Sequence, residues 1–183
     1  MNWEISRISD NQVGEFSSIL MEATEWLRRT GKEMWTLEQV SVDSLLMVCA
    51  PEEMFLGYID GVPAATMILQ ENDEIFWPDA PKGESLFLHK LSVRRRFAGT
   101  RLAVEMINWA KLKAKHDSKK FLRLDCAADR EKLCRFYEAQ GFEKVREQVM
   151  FGTWPTAFYG LATAYGTHPR PGAGWAETGT PIG

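Results

Sequence analysis

The stretch Leu86–Ala103, LFLHKLSVRRRFAGTRLA, constrains this chain more than any other. It reads as a strand from Leu86 to Val93, a basic turn, and a helix that starts near Gly99. Alternation in the strand puts Phe87, His89, Leu91 and Val93 on one face, so a polar His stands in an otherwise apolar row. A strand that ends in a turn at a helix N-terminus makes an anion site. The first backbone N–H groups of the helix lack internal partners, and the dipole favours negative charge there. Arg94, Arg95, Arg96 and Arg101 cluster around this turn. The pattern points to a phosphate-bearing ligand beside a His-bearing strand. The bland alternative for the arginines is a solvated turn.

The rest of the composition narrows the class. A chain of 183 residues, 45% hydrophobic, holds one domain with a sizeable core. Its formal net charge of −3 gives no general attraction to nucleic acid or membranes, so the arginine cluster is local. No apolar run approaches the ~20 residues of a spanning helix. The first residues, MNWEISRISD, lack the basic start and apolar centre of a secretion signal. Cys49, Cys126 and Cys134 are odd in number and form no C-x-x-C, which fits a reducing cytoplasm. His89, His116 and His168 are far apart and near no cysteine pair, so no metal site is expected.

Along the chain, Trp3 to Ile8 alternates as a first strand, and Ser9 and Asp10 offer a helix cap. Val13, Phe16, Ile19, Leu20, Ala23 and Leu27 recur at helical spacing up to Arg29, and Gly31 follows as a stop. Thr36 and Gln39 read as a capping box opening a second helix over Leu37 to Val48. Two apolar runs, Phe55 to Ile59 and Ala64 to Gln70, flank the hairpin signal Asp60-Gly61. A loop, Glu71 to Gly83, precedes the His-bearing strand. In the helix after it, Leu102, Met106, Trp109 and Ala110 form the apolar stripe. Phe121 to Ala127 reads as a strand. Asp129 is the expected cap of a helix bearing Leu133, Phe136, Tyr137 and Gln140, and Phe142 to Phe151 as the last strand. The order β-α-α-β-β-β-α-β-α-β predicts a single α/β domain over residues 1–160, a mixed central sheet with helices on both faces. Residues 161–183, rich in Gly, Ala, Thr and Pro, read as a flexible C-terminal tail.

From Phe55 to Phe151 the chain resembles the GNAT superfamily of acyl-CoA-dependent N-acyltransferases. HKLSVRRRFAGTRLA is similar to that family's L-x-V strand followed by its pyrophosphate loop, Q/R-x-x-G-x-G/A. DCAADREKLCRFYEAQGF is similar to its strand and helix ending in F/L-Y-x-x-x-G-F. Both motifs stand in the family's order. The resemblance implies acetyl-CoA as co-substrate, with no metal. It places Leu91, Ser92, Val93, Arg96, Ala98, Gly99, Thr100, Arg101, Leu102, Ala103, Arg130 and Phe136 against the coenzyme. Two positions depart from the pattern. Arg101 stands where the loop's first Gly belongs, and Arg130 stands where many members carry Asn. A long side chain at the Gly position either obstructs phosphate approach or reaches a phosphate itself.

Acyl transfer to an amine needs a base for the amine, a donor for the oxyanion and a proton for the departing thiolate. His89 corresponds to the base His of GNAT enzymes that resemble arylalkylamine N-acetyltransferases. An unperturbed imidazole, with pKa ~6.5, is a fitting acceptor at physiological pH. A backbone N–H near Leu91 is the family's oxyanion donor. Tyr137 holds the position of the family's acid, and a phenol of pKa ~10 stays protonated at neutral pH. Against these stand the readings of His89 and Tyr137 as satisfied core residues, and of Trp26, Trp35 and Trp77 as core rather than acceptor-pocket walls. The resemblance therefore predicts a cytoplasmic acetyltransferase acting on a small-molecule primary amine, as a possible homodimer, with neither nucleic acid nor membrane as partner. The alternatives are a catalytically degenerate acyl-CoA-binding or sensor module, and a protein or peptide N-acyltransferase.

Overall fold

The structure, a computed structural model, describes residues 1–163. The strands are β1 (Trp3–Arg7), β2 (Met54–Ile59), β3 (Val62–Gln70), β4 (Ser85–Val93), β5 (Phe121–Ala127), β6 (Glu143–Met150) and β7 (Trp154–Ala162). The helices are α1 (Val13–Arg29), α2 (Val42–Val48), α3 (Leu102–His116) and α4 (Glu131–Ala139). All seven strands form one mixed sheet in the order β1-β2-β3-β4-β5-β7-β6. This is the expected α/β class. Packing divides the described residues into two compact units, Met1–Leu69 with Lys90–Met106, and Gln70–His89 with residues 107–163.

In the first unit, β1, β2 and β3 form an antiparallel meander. The β2–β3 hairpin turns at Asp60 and Gly61, with φ of +49° and +79°. Two left-handed residues in succession match the twist of a tight hairpin, which is why Asp-Gly suits the position. One face of α1 supplies Val13, Phe16, Ile19 and Leu20 to a core with Val40, Leu45, Met54, Leu56 and Ile68. Gly57 lies under α3. A Cβ there would sit 2.7 Å from Met106 Sδ and 3.3 Å from Ala65 Cβ, so glycine sets how closely the helix approaches.

In the second unit, β7 pairs antiparallel with β5 from Ala127 to Phe121, and with β6 on its other side. Its interior residues Thr156, Ala157, Phe158 and Tyr159 are all buried. Trp77, Phe87 and Phe158 form an aromatic core, with Trp77 edge-on to Phe158 at 5.3 Å.

Several expectations are corrected. The Thr36–Gln39 box forms, with reciprocal bonds of 3.0 and 3.1 Å, but it closes only a turn. Helix α2 starts at Val42, where Ser41 accepts from the Ser44 N–H. The intervening Val40 is fully buried. Asp129 is exposed and is not the cap of α4, whose N-cap position is Arg130. Helix α3 begins at Leu102 rather than near Gly99, after a single 3-10 turn at Arg95–Phe97. Strand β7 was not foreseen, and β6 is therefore not the last strand. Its Ala162 lies past the expected start of the tail, the rest of which falls outside the described residues.

Candidate active site

Strand β4 carries the candidate base. It runs parallel to β5 and pairs with it at Ser85, Leu86 and Phe87, a register that stops two residues short of His89. The residue after His89, Lys90, has φ of +52°. A left-handed residue inside a strand interrupts the alternation. The run Ser85–Leu88 is buried throughout, then His89, Lys90 and Leu91 are half-buried and Ser92 is buried. The single apolar face expected through Phe87, His89, Leu91 and Val93 is thus broken at Lys90. The Lys90 carbonyl accepts from Thr66 Oγ1 at 2.8 Å, and its ammonium lies over the Trp35 ring at 4.7 Å.

His89 sits among carboxylates. Its Nε2 is 3.7 Å from Asp73 Oδ2, and the Asp73 side chain is only 7% exposed. Asp125, on β5, completes a group whose donor atoms all lie within 4.8 Å of one another. These three are the convergent donors among the described residues. Neither carboxylate was singled out in the sequence. Asp73 lies in a loop of polar residues and Asp125 in an apolar strand, and no motif spacing links them to His89.

Tyr137, on α4, is buried and stacks edge-on against Phe136 and Phe142 at 5.3 and 6.0 Å. Burial pushes its phenol well above the ordinary value, and Cys126 and Asp125 push it further in the same direction. The group therefore stays protonated and available as a donor. The same Asp125 that neighbours His89 thus acts electrostatically on Tyr137, and the two predicted catalytic groups share one carboxylate neighbour.

A cavity of about 280 Å³ opens beside this group. Trp77, Phe87, Pro78 and Pro81 give it apolar walls, and Glu71, Asp73, Glu74 and Lys82 give it charge. Of the three tryptophans left open as core or pocket, Trp77 is both. Trp35 packs on the core of the first unit, and Trp26 is covered by the Arg95 guanidinium at 3.9 Å.

The basic turn separates into residues with different work. Arg94 is engaged by carboxylates of the protein itself. It binds Glu15 at 2.6 Å, Glu22 at 2.8 Å, Ser18 Oγ at 2.7 Å and the Pro63 carbonyl at 3.3 Å, tying the end of β4 to α1. The Arg95 N–H donates to Glu22 at 2.8 Å. Arg96 is exposed, its guanidinium 4.8 Å from the Phe97 ring. Beyond it, Gly99 and Arg101 have φ of +81° and +66°. The first helical bond of α3 runs from the Val104 N–H to the Arg101 carbonyl at 2.9 Å. The amides of Leu102 and Ala103 thus belong to the open first turn. Arg101 is exposed and holds the backbone conformation that glycine adopts most easily. The left-handed conformation thus persists where an arginine replaces the expected glycine, and nothing near Gly99 would meet an added Cβ. Ala98 is exposed, Thr100 donates through Oγ1 to the Phe97 carbonyl at 2.7 Å, and Leu102 is buried under the turn. Arg130 and Phe136, the other expected coenzyme contacts, are half-buried at the start and middle of α4.

The model of the acetyltransferase (GNAT) family matches residues 19–142, and the chain belongs to that family. It is 32% identical over 133 residues to an uncharacterized N-acetyltransferase, YesJ, of Bacillus subtilis (strain 168), covering 69% of this chain and 74% of the relative. The fold matches a GNAT-family acetyltransferase from Listeria monocytogenes 4b F2365 with a TM-score of 0.70 at 21% identity, covering 87% of this chain and 94% of that one. It also matches yncA, a putative acetyltransferase of Salmonella typhimurium solved with its cofactor acetyl-CoA. There the TM-score is 0.67 at 15% identity, covering 92% and 98% of the two chains.

Proposed function

We propose that this protein transfers an acetyl group from acetyl-CoA directly to a small primary amine, with no covalent enzyme intermediate and no metal. The observation that carries the reading is the convergence of His89 with the Asp73 and Asp125 carboxylates on a GNAT fold, with the buried Tyr137 phenol held protonated. Acetyl-CoA as co-substrate is supported by the acetyl-CoA held by the Salmonella relative of the same fold, and by the loop shape at Gly99 and Arg101. The amides of the open first turn of α3 bind the pyrophosphate, and the exposed Arg101 and Arg96 add positive charge. The backbone of β4 near Leu91 donates to the oxyanion, as fits a strand whose pairing with β5 ends at Phe87.

His89 accepts the proton that the amine nitrogen loses as the new N–C bond forms. Tyr137 gives its hydroxyl proton to the sulfur as the C–S bond breaks. The cavity beside Asp73 suits an acceptor that is small and cationic, with an apolar body against Trp77 and Phe87. The thiol chemistry plays no part: Cys126 and Cys134 are buried, and burial raises the Cys126 thiol far above its ordinary value.

An amine panel assayed with acetyl-CoA, reading thiol release, tests the activity. His89→Ala and Tyr137→Phe are each expected to depress turnover by about 10²–10⁴-fold, the usual worth of a positioned acid or base. The affinity for acetyl-CoA should stay within a few-fold of wild type. Wild-type turnover in both variants across pH would show the assigned roles to be wrong.

A further inference from the structure

Asp73 is buried in a way its loop position does not explain. It lies between β3 and β4 in a segment of exposed acidic and turn residues, yet its side chain is 7% exposed. Its Oδ1 accepts from the Phe76 N–H at 3.0 Å. Its Oδ2 is shut off from solvent and accepts no hydrogen bond among the described residues. The neighbour of that oxygen is His89 Nε2, at 3.7 Å. A desolvated carboxylate oxygen with no donor is costly unless a charge or a proton compensates it. A protonated ring nitrogen supplies both.

We infer that Asp73 is the positioning residue for His89. It holds the proton on Nε2, which makes Nδ1 the basic ring nitrogen, and it stabilises the imidazolium that forms. The inference rests on the reading of His89 as the base. At 3.7 Å the contact is longer than a hydrogen bond, and it shortens into one as the ring becomes charged. The balance is simple. The amine proton goes to Nδ1, the Nε2–H stays where it is, and Asp73 remains ionised throughout. Ionisable groups that face His89 include Asp73 from the loop and Asp125 from β5, and Lys90 is its chain neighbour. Glu71 and Glu74 flank Asp73 but are engaged with Lys119 at 3.0 Å and Lys82 at 3.9 Å.

The test is NMR of the His89 ring in the intact, chelator-treated protein, where only three histidines need assignment. In the wild type, the ring ¹⁵N shifts should report the Nε2–H tautomer when His89 is neutral. The Nδ1–H tautomer would overturn the inference without any variant. Asp73→Asn removes the charge and should lower the His89 pKa by about one unit or more, because a neighbouring carboxylate favours the cationic ring. The acid limb of kcat should move down by the same amount. Plateau turnover should fall about tenfold or more as the base weakens, while the KM for acetyl-CoA is unchanged. An unmoved His89 pKa in Asp73→Asn, or a shift seen only in Asp125→Asn, would overturn it. Both NMR readouts are independent of turnover. Loss of the base reading through an active His89→Ala is therefore distinguishable from loss of this one.

Discussion

Arg101 and Lys90 both hold left-handed backbone, at +66° and +52°, and each marks a working position on the chain. For a residue with a Cβ this conformation costs roughly 1–2 kcal/mol. Arg101→Gly should therefore raise stability by about 1 kcal/mol, somewhat offset by the freer unfolded chain. Denaturant unfolding reads that change. The same variant decides how the loop holds phosphate. If the backbone amides carry the binding, calorimetry with coenzyme A should give an affinity within about threefold of wild type, under 1 kcal/mol. A loss of tenfold or more would assign the binding to the Arg101 side chain instead. The motif identified Arg101 as the odd residue, because a required glycine is visible by its absence. It did not reveal that arginine adopts the glycine conformation, since φ is set by the turn and the helix start together. His89 and Tyr137 could be nominated from the sequence because each lies inside a motif. Asp73 and Asp125 could not, because only the folded sheet and loop bring their carboxylates to His89.

At the scale of elements, the arginine run was legible as a feature but not as a division of labour. Charge at a helix start suggests an anion site, and nothing in the run itself tells Arg94 from Arg96. The side-chain partners of Arg94 lie on α1, about a turn apart along its face at Glu15, Ser18 and Glu22. Strand β7 was missed for a similar reason. Pro155 and Gly160 break its strand pattern, and only pairing on both sides with β5 and β6 makes it a buried strand. The apolar helix stripes and the Asp-Gly hairpin are local signals and were read correctly. Arg94→Ala should cost about 1.5–3 kcal/mol, the range for hydrogen bonds to charged groups, measured by denaturant midpoint. It should also change the acid dependence of stability. Burial pushes the Glu22 carboxyl up, but the Arg95 N–H and the Arg94 guanidinium outweigh it, and the group ends below its ordinary value. A depressed carboxyl stabilises the fold above its unfolded value of 4.5, and that contribution disappears as pH falls through the folded value. The wild-type midpoint should therefore drop between pH ~5 and ~3, and Arg94→Ala should drop less over the same window. An equal acid slope in both proteins would place the charge coupling elsewhere.

Across the whole molecule, the groups to which the proposal gives proton handling come from four separate pieces of chain: a loop, β4, β5 and α4. No local pattern assembles them. What the sheet does is bring Asp125 beside His89 while leaving Tyr137 buried against its own helix and β7, with Tyr159 at 6.4 Å. On the proposed mechanism the two groups act from opposite protonation states. His89 must be neutral to accept a proton, so turnover rises with pH through its pKa. Tyr137 must be protonated to donate, and its burial, with Cys126 and Asp125 nearby, keeps it so beyond the ordinary phenol range. The profile of kcat should therefore show one acid limb and a plateau that holds to at least pH ~10, where an exposed tyrosine would already be ionising. kcat is the quantity to follow, because kcat/KM also carries the ionisation of the free amine. Tyr137→Phe should lower the plateau by about tenfold or more while leaving the acid limb in place. A falling limb near pH 8–9 in the wild type that vanishes in Tyr137→Phe would mean that the phenol ionises within the working range, and that solvent reaches Tyr137 despite its burial.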